Sequence, residues 1–440
     1  MLQVKKNTKT ITLQSLYEMN IKTLWQALKN EHMSFWFLCF YFFFEYVHPQ
    51  VLYPVIDILP WSQTFLILIC VSIFSDNPRS RIWAKHPINK WLILFCFITL
   101  LSGIFAFDPS VSWKYKNVLL TWLIIHFMLI NIINTEKRLF LFIIAYLLFS
   151  LKMAQFGAYT WAMRGFSFAG FGLVGSPGWF RNSGEFAIQM LIYGSLALSV
   201  VLSLKQYWGR YKKWILFIAA GTGYMAVMGA SSRGAQIGLA AIVIRMMLTQ
   251  KGGLKGLIII VSLSAILYNI LPDAQMKRFS EMGADDSSLQ RFAYWEAGIE
   301  TVKEHPFLGV GYYSWVDYMW NKFPEGIGVA KTIQVCHNIY IQAASEMGIP
   351  GLMVFLILII LTFRTLIQTR KLTKNSEDKF IYFLTYGLEA GLIGFLVAGN
   401  FVTVLFYPFF WIQMSMIVSV YMIADKKNRE QMVGVDSIGK

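Results

Sequence analysis

The chain has 440 residues, of which 56% are hydrophobic and 16% aromatic, whereas only 14% are charged. Soluble globular proteins carry about 25% charged residues, so this composition excludes an ordinary soluble domain. The net charge of +15 does not indicate nucleic-acid binding, because the sequence contains no soluble basic domain and Lys and Arg collect in the cytoplasmic loops of membrane proteins.

Apolar runs long enough to cross a bilayer recur along the chain and predict an all-α, polytopic membrane protein of about twelve transmembrane helices. An amphipathic helix over residues 11–30 precedes them. The predicted spans lie near 33–47, 60–75, 91–107, 117–134, 138–156, 184–204, 213–230, 234–250, 254–271, 348–368, 380–399 and 402–424. The first two are short, and Pro49, Pro54 and Pro60 indicate a broken, partly re-entrant connection between them.

The spans divide the chain into five regions. They are a cytoplasmic N-terminal amphipathic segment (1–32), spans one to nine (33–271), a periplasmic catalytic region (272–347), spans ten to twelve (348–424) and a cytoplasmic tail (425–440). The third region is a long polar interruption rich in Trp, Tyr and paired charges. Such an interruption between hydrophobic spans favours a functional site.

The distribution of basic residues predicts which loops face the cytoplasm. Of the 39 Lys and Arg residues, 27 fall in the termini and alternate loops, and 12 fall in the remaining loops. By the positive-inside rule both termini are cytoplasmic. The loops 157–183, 231–233 and 271–347 then face outward. Any chemistry there has no access to cytoplasmic ATP or nucleotide sugars and needs a donor that is already activated and membrane-attached.

Arg233 is the first candidate site residue. It lies in GASSRGAQ, at the outer junction of two predicted spans. An Arg beside hydrocarbon is costly and usually marks a functional site or an ion pair. The small residues around it allow a ligand to approach closely.

Arg291 is the second candidate, in the segment SSLQRFAYWEAGIETVKE. Ser287 and Ser288 are expected N-caps of a helix of about fifteen residues. Arg291, Tyr294 and Trp295 fall on one face of that helix. A guanidinium matches phosphate in two-point geometry, so Arg291 beside these aromatic rings is suited to diphosphate and sugar recognition.

His337 precedes an apolar helix on the predicted outer side, and its neutral imidazole can take a proton from an attacking hydroxyl. His337, His48 and His305 come from three outward segments, but nothing in their spacing indicates a zinc site. No metal or other cofactor is expected. In the outward loop 157–183, Arg164 and Arg181 are secondary candidates for phosphate or glycan contacts.

Each of these residues also has a structural interpretation. Arg233 can extend to the lipid headgroups, and Arg291 can pair with Glu296 or Glu300. A lone histidine such as His337 is more often structural than catalytic. A charged carboxylate within a membrane span is costly in free energy. Glu45 and Glu389, which lie in predicted spans, are therefore expected to be paired or to belong to a proton path.

Four stretches together resemble the O-antigen ligase and O-antigen polymerase superfamily, over roughly residues 220–365. They are SSRG at 231–234, R-x-x-x-W-x-x-G from Arg291, HPFLGVGYYSW from His305 and HNIYIQAASEMGIPGL from His337. The early EYVHPQVLYPVIDILPW, from Glu45, is also similar to one branch of ligase-like members.

The resemblance implies a metal-independent glycosyltransferase on the outer face of the bacterial inner membrane, with twelve spans and a periplasmic helical region. Its donor would be a glycan on undecaprenyl diphosphate, and its acceptor most often the sugar of lipid A–core. Carried over by motif, Arg233 and Arg291 would hold the diphosphate, and His337 would serve the acceptor hydroxyl. Both substrates would enter from the membrane lipid.

Two alternatives remain open. Within the same class, a polysaccharide polymerase or a ligase that attaches glycan to protein would share the donor and differ in the acceptor. In a different class, a transporter of lipid-linked glycan would use Arg233 and Glu389 as gating charges.

Overall fold

The computed structural model describes residues 11–76, 83, 85–167, 172–249 and 285–438. Within these ranges the chain is helical and contains one isolated β-bridge, between Ile327 and Ala330, which confirms the predicted all-α class. The helices are α1 Leu13–Tyr17, α2 Ile21–Lys29, α3 Met33–Tyr46, α4 Pro49–Leu52, α5 Trp61–Ser72, α6 Pro87–Ile104, α7 Pro109–Ile132, α8 Glu136–Met163, α9 Ser183–Leu204, α10 Arg210–Gly229, α11 Arg233–Thr249, α12 Asp286–Glu304, α13 Trp315–Lys322, α14 Ile339–Thr373, α15 Phe380–Ala398 and α16 Pro408–Ile438.

Seven of the described helices are long and apolar enough to cross a membrane: α6, α7, α8, α9, α14, α15 and α16. The shorter apolar helices α3 and α5 coincide with the first two predicted spans, and α10 and α11 coincide with the seventh and eighth. The chain is therefore a multi-pass helical membrane protein. The predicted span 254–271 lies outside the described residues, so the count of twelve remains a prediction.

Helix α9 lies at the centre of the bundle and packs against α8, α10, α11 and α15. Small residues let these helices approach closely. A Cβ on Gly223 of α10 would lie 3.0 Å from the Cα of Gly194 in α9. Without a hydrophobic driving force between helices in lipid, such close van der Waals packing is a main source of helix association.

The loops that the basic-residue pattern assigns to the outer side meet at one end of the bundle. The Phe107 N–H donates to the Val310 carbonyl at 2.8 Å, and the Ile339 N–H donates to the Gly399 carbonyl at 2.9 Å. Arg138 binds Glu31 and Asp76 at the opposite end, where α1, α8 and the C-terminal half of α16 also meet. The described parts of these loops thus lie at two opposite ends of the bundle.

The two carboxylates singled out within the predicted spans, Glu389 and Glu45, have hydrogen-bond partners, as expected. Glu389 accepts hydrogen bonds from Arg370 at 2.6 and 3.0 Å and from Arg245 at 2.9 Å. Glu45 accepts one from the Trp179 indole N–H at 2.6 Å.

Several predicted boundaries were wrong. The segment 11–30 is two helices, because Met19 has a φ of 50° between them. Helix α14 begins nine residues before the predicted span at 348 and is interrupted at Gly348, whose φ is 71°. Residues 399–407 are not helical, so the last long helix begins at Pro408 rather than near 402.

Candidate active site

Helix α12 and the loop after α13 form a small core of their own, next to the end of the bundle just described. Tyr294, Trp315, Met319, Ile333 and Cys336 are buried together there. The helix starts after Asp285, which is the N-cap, so the predicted N-caps Ser287 and Ser288 were wrong by two or three residues. The Asp285 carboxylate makes no capping hydrogen bond to the backbone, and it accepts from the side chains of Arg233 and Ser288 instead.

Arg233 is the first residue of α11, and the turn before it contains Ser231 with a φ of 53°. Its guanidinium makes a two-point ion pair with Asp285, with Nη1–Oδ1 at 2.9 Å and Nη2–Oδ2 at 2.6 Å. Ser288 Oγ also donates to Asp285 Oδ1 at 2.5 Å. The donation from Arg233, together with that from Ser288, holds the pKa of Asp285 well below its usual range.

Arg291 lies on α12, half-buried and close to this pair. Burial and the charge of Arg233 lower the pKa of Arg291, and the charge of Asp285 opposes them. Among the described carboxylates none lies within ion-pair distance of Arg291, so the structural alternative of a pair with Glu296 or Glu300 does not hold. A guanidinium remains charged at physiological pH despite such a shift.

His337 is held in the left-handed region, with a φ of 52°. Its backbone N–H donates to Thr403 Oγ1 at 2.7 Å, and its Nε2 lies 3.5 Å from Gln334 Oε1. Burial, followed by the charge of Arg291, lowers the pKa of His337 to about 4. The imidazole is therefore neutral near pH 7, the state in which a histidine can accept a proton.

These three residues come from separate parts of the chain, and the nonhelical segment 399–407 packs against all three elements that carry them. Phe401 contacts the ring of Trp295, with centroids 6.2 Å apart, and lies against Gly234. Thr403 binds the backbone of His337. The result is a cluster of two guanidinium groups, one carboxylate and one neutral imidazole, suited to an anionic ligand and a hydroxyl.

Residues 214–356 match the family model described as O-antigen ligase. The match is to this region and covers less than half of the chain. Arg233, Arg291 and His337 all lie within this matched region, which supports the superfamily indicated by the sequence motifs. No curated protein matches the chain.

The two aromatic candidates within residues 214–356 have different environments. Tyr294 is buried, and its hydroxyl donates to the Thr332 carbonyl at 2.6 Å, while its ring centroid lies 6.3 Å from that of His337. The buried indole Nε1 of Trp295 has no partner among the described residues. Trp295 therefore keeps a free donor beside the cluster, whereas Tyr294 supports the position of His337.

The secondary candidates Arg164 and Arg181 lie outside the matched region 214–356. Arg164 is the C-cap of α8, and Arg181 directly precedes Asn182, the N-cap of α9. Both side chains are exposed. Burial lowers the pKa of His48, Glu45 opposes this shift, and the charge of Arg181 adds to it. The role of either guanidinium in binding glycan or phosphate remains a prediction.

Sequence reasoning missed Asp285 and Thr403. Asp285 could have been found by its N-cap preference, but nothing local pairs it with Arg233. Thr403 lies in a stretch that hydropathy assigns to a span. For metal binding, no group of three or more His, Cys, Asp or Glu side chains within the described residues is arranged to hold an ion.

Proposed function

We propose that this protein is a glycosyltransferase that moves a glycan from undecaprenyl diphosphate to a periplasm-facing acceptor, most often the sugar of lipid A–core, with inversion and without a metal. The observation that supports it most directly is the proximity of Arg233, Arg291 and His337 within a domain of the O-antigen ligase family. Two cations and a neutral base are what such a transfer requires.

The two arginines would bind the diphosphate of the donor. Asp285 fixes the plane of the Arg233 guanidinium through its two-point ion pair, which leaves the Nε–H and the outer N–H groups for phosphate oxygens. Arg291 lies beside it with no carboxylate partner within the described residues. Positive charge placed where negative charge develops on the departing diphosphate is the type of stabilisation that contributes most to catalysis in such sites.

His337 would serve the acceptor. As the acceptor oxygen bonds to the anomeric carbon, the hydroxyl O–H bond breaks and the imidazole takes the proton. The bond from the anomeric carbon to the phosphate oxygen breaks at the same time, and lipid diphosphate leaves with the electron pair. Attack opposite the leaving group inverts the anomeric centre. The lowered pKa of His337 keeps it in the neutral form that this step needs.

A transfer assay with the purified full-length protein tests the proposal. Undecaprenyl-diphosphate glycan is supplied as donor, with lipid A–core, a second lipid-linked glycan or an acceptor protein in parallel reactions. We expect a glycosylated lipid A–core product that survives addition of a chelator. Transfer only to lipid-linked glycan would identify a polymerase, and transfer only to protein would identify a protein ligase.

Variants make the assay specific to the site. Arg233→Ala, Arg291→Ala and His337→Ala should each insert into the membrane normally and lose at least about 100-fold in transfer, the loss typical of removing an electrostatic or acid–base group. Arg210→Ala, at an exposed arginine that begins α10 and lies outside residues 214–356, is the matched control. Movement of lipid-linked glycan across vesicle membranes without transfer would instead identify a transporter.

A further inference from the structure

A cavity of about 280 Å³ opens between α3, α5 and α7, away from the arginine cluster. The aromatic rings of Tyr41, Trp61, Trp122 and Trp179 line it together with carboxylate and amide side chains. Its volume is close to the lower end of the range for small-molecule sites, about 300–1,000 Å³, and fits a monosaccharide-sized group.

Two buried polar atoms of this cavity have no partner within the described residues. They are the hydroxyl of Tyr41, whose side chain is 1% exposed, and Oε1 of Gln50. Buried polar groups are nearly always hydrogen-bonded, so each such atom calls for an explanation. A hydroxyl-bearing ligand would satisfy both, because a hydroxyl group can donate to an amide oxygen and exchange a hydrogen bond with a phenol.

The negative charge of the cavity argues against binding of a diphosphate, the ligand proposed for Arg233 and Arg291. Glu45 and Asp57 line it, and none of its described lining residues is Lys or Arg. Two carboxylates repel a phosphate and accept hydrogen bonds from hydroxyl groups. Together with the aromatic rings, they suit an uncharged, hydroxyl-rich ring that offers one apolar face.

The segment 399–407 contacts both the residues that line the cavity and the residues around Arg233 and His337. The Trp122 indole N–H donates to the Phe406 carbonyl at 2.6 Å, and the ring of Trp179 contacts Tyr407 with centroids 4.9 Å apart. The same segment carries Thr403, which binds the backbone of His337. A group seated in the cavity would therefore lie against the segment that positions the base.

The connection between α3 and α5 borders the cavity and exposes apolar side chains. Val55 is 89% exposed and Ile58 is 73% exposed. In a membrane protein such a surface suits contact with lipid, as the sequence expectation of a re-entrant connection implies. The opening of the cavity is thus next to a surface from which a lipid-anchored molecule can approach.

From these observations we infer that the cavity is a binding subsite for a neutral sugar residue of a lipid-anchored glycan. Aromatic rings pack on the apolar face of the sugar, while Gln50, Glu45 and Asp57 bind its hydroxyl groups. That this glycan is a substrate of transfer rests on the proposed function. Sugar binding itself depends only on the cavity.

Saturation-transfer difference NMR on the full-length protein in nanodiscs tests the subsite, with methyl glucoside, methyl galactoside and methyl N-acetylglucosaminide as probes. We expect saturation transfer to at least one probe. Trp61→Ala and Gln50→Ala should weaken binding at least about tenfold, as removal of a central contact does. Trp61→Phe, which keeps a ring, should restore part of it. Trp113→Ala, a half-exposed tryptophan of α7 outside the cavity, should leave binding unchanged.

The outcomes separate the subsite from the transfer reaction. Arg233→Ala should abolish transfer and keep the sugar signals. Absence of saturation transfer in the wild type, or equal binding by wild type, Trp61→Ala and Gln50→Ala, would overturn the subsite. Sugar binding without transfer from any lipid diphosphate would overturn the proposed function and leave the subsite standing. In the transfer assay, Trp61→Ala should raise the KM of one substrate about tenfold. A higher KM for the donor would assign the bound sugar to the donor glycan, and a higher KM for the acceptor would assign it to the acceptor.

Discussion

Arg233 and Asp285 form a two-point ion pair, with nitrogen–oxygen distances of 2.9 and 2.6 Å, although 52 residues separate them in the chain. The pair joins the start of α11 to the N-cap of α12. It therefore fixes both Arg233, a candidate diphosphate-binding residue, and the helix that carries Arg291. We regard Asp285 as a positioning residue that acts through Arg233.

A double-mutant cycle tests this role. Asp285→Ala should lower kcat/KM for the lipid-linked donor about tenfold, a loss expected when a charge-assisted hydrogen-bonded partner is removed. In an Arg233→Ala background the same change should have little further effect, because the residue that it positions is already absent. The neighbouring Asp286→Ala is the matched control. Equal losses from Asp285→Ala in both backgrounds would contradict a role through Arg233.

The pH dependence of the transfer tests the role of His337. Because burial and Arg291 lower its pKa to about 4, the imidazole stays neutral over a wider range than an ordinary histidine, whose pKa is about 6.5. On the acidic side of the pH profile, kcat/KM should therefore decline only near pH 4. The stability linked to His337 is fully present above pH 6.5 and declines as the pH falls toward 4, since the unfolded chain takes up the proton first.

Arg291→Gln removes one of the two causes of the shift, so the acidic limb should move toward pH 6.5. His305→Gln, a change at an exposed histidine that lies against Tyr318, should leave the profile unchanged. Carbon-13 NMR of the labelled imidazoles reads the same titration directly. A limb that remains at its wild-type position in Arg291→Gln would show that the two side chains are not electrostatically coupled.

Thr403 is expected to control the placement of the His337 ring. Thr403→Val removes the acceptor for the His337 N–H and leaves that donor unsatisfied, at a cost of about 1–3 kcal/mol. We expect kcat to fall about tenfold with little change in the donor KM, and Thr403→Ser to retain activity. Thr222→Val in α10 serves as control. A loss of the same size in Thr403→Ser would mean that the hydroxyl is not the relevant group.

The sidedness of the cluster is tested by labelling in intact cells. Lys331→Cys and Lys374→Cys place a thiol at exposed positions on opposite ends of the bundle, in a background in which the four native cysteines are replaced. A membrane-impermeant maleimide should label position 331 from outside, and should label position 374 only after the membrane is opened. The reverse pattern would put the arginine cluster in the cytosol and remove access to a periplasmic acceptor.

The sequence alone determined the class of the protein, the position of α12 and the separation of loops into two groups. These follow from local quantities: hydropathy over a span, helical periodicity and the distribution of Lys and Arg. The motifs around Arg233, Arg291 and His337 also identified the family, since each is a contiguous stretch.

Only the tertiary structure decided which partners these residues have. Asp285 meets Arg233, and Thr403 meets His337 across 66 residues of sequence, because helix packing brings the ends of α11, α12, α14 and α15 together. Hydropathy likewise could not predict where α14 begins, the break at Gly348 or the nonhelical segment 399–407. It measures apolar content and not backbone conformation. The cavity beside Trp61 belongs to the same category, since its walls come from three helices and a loop that no local pattern joins.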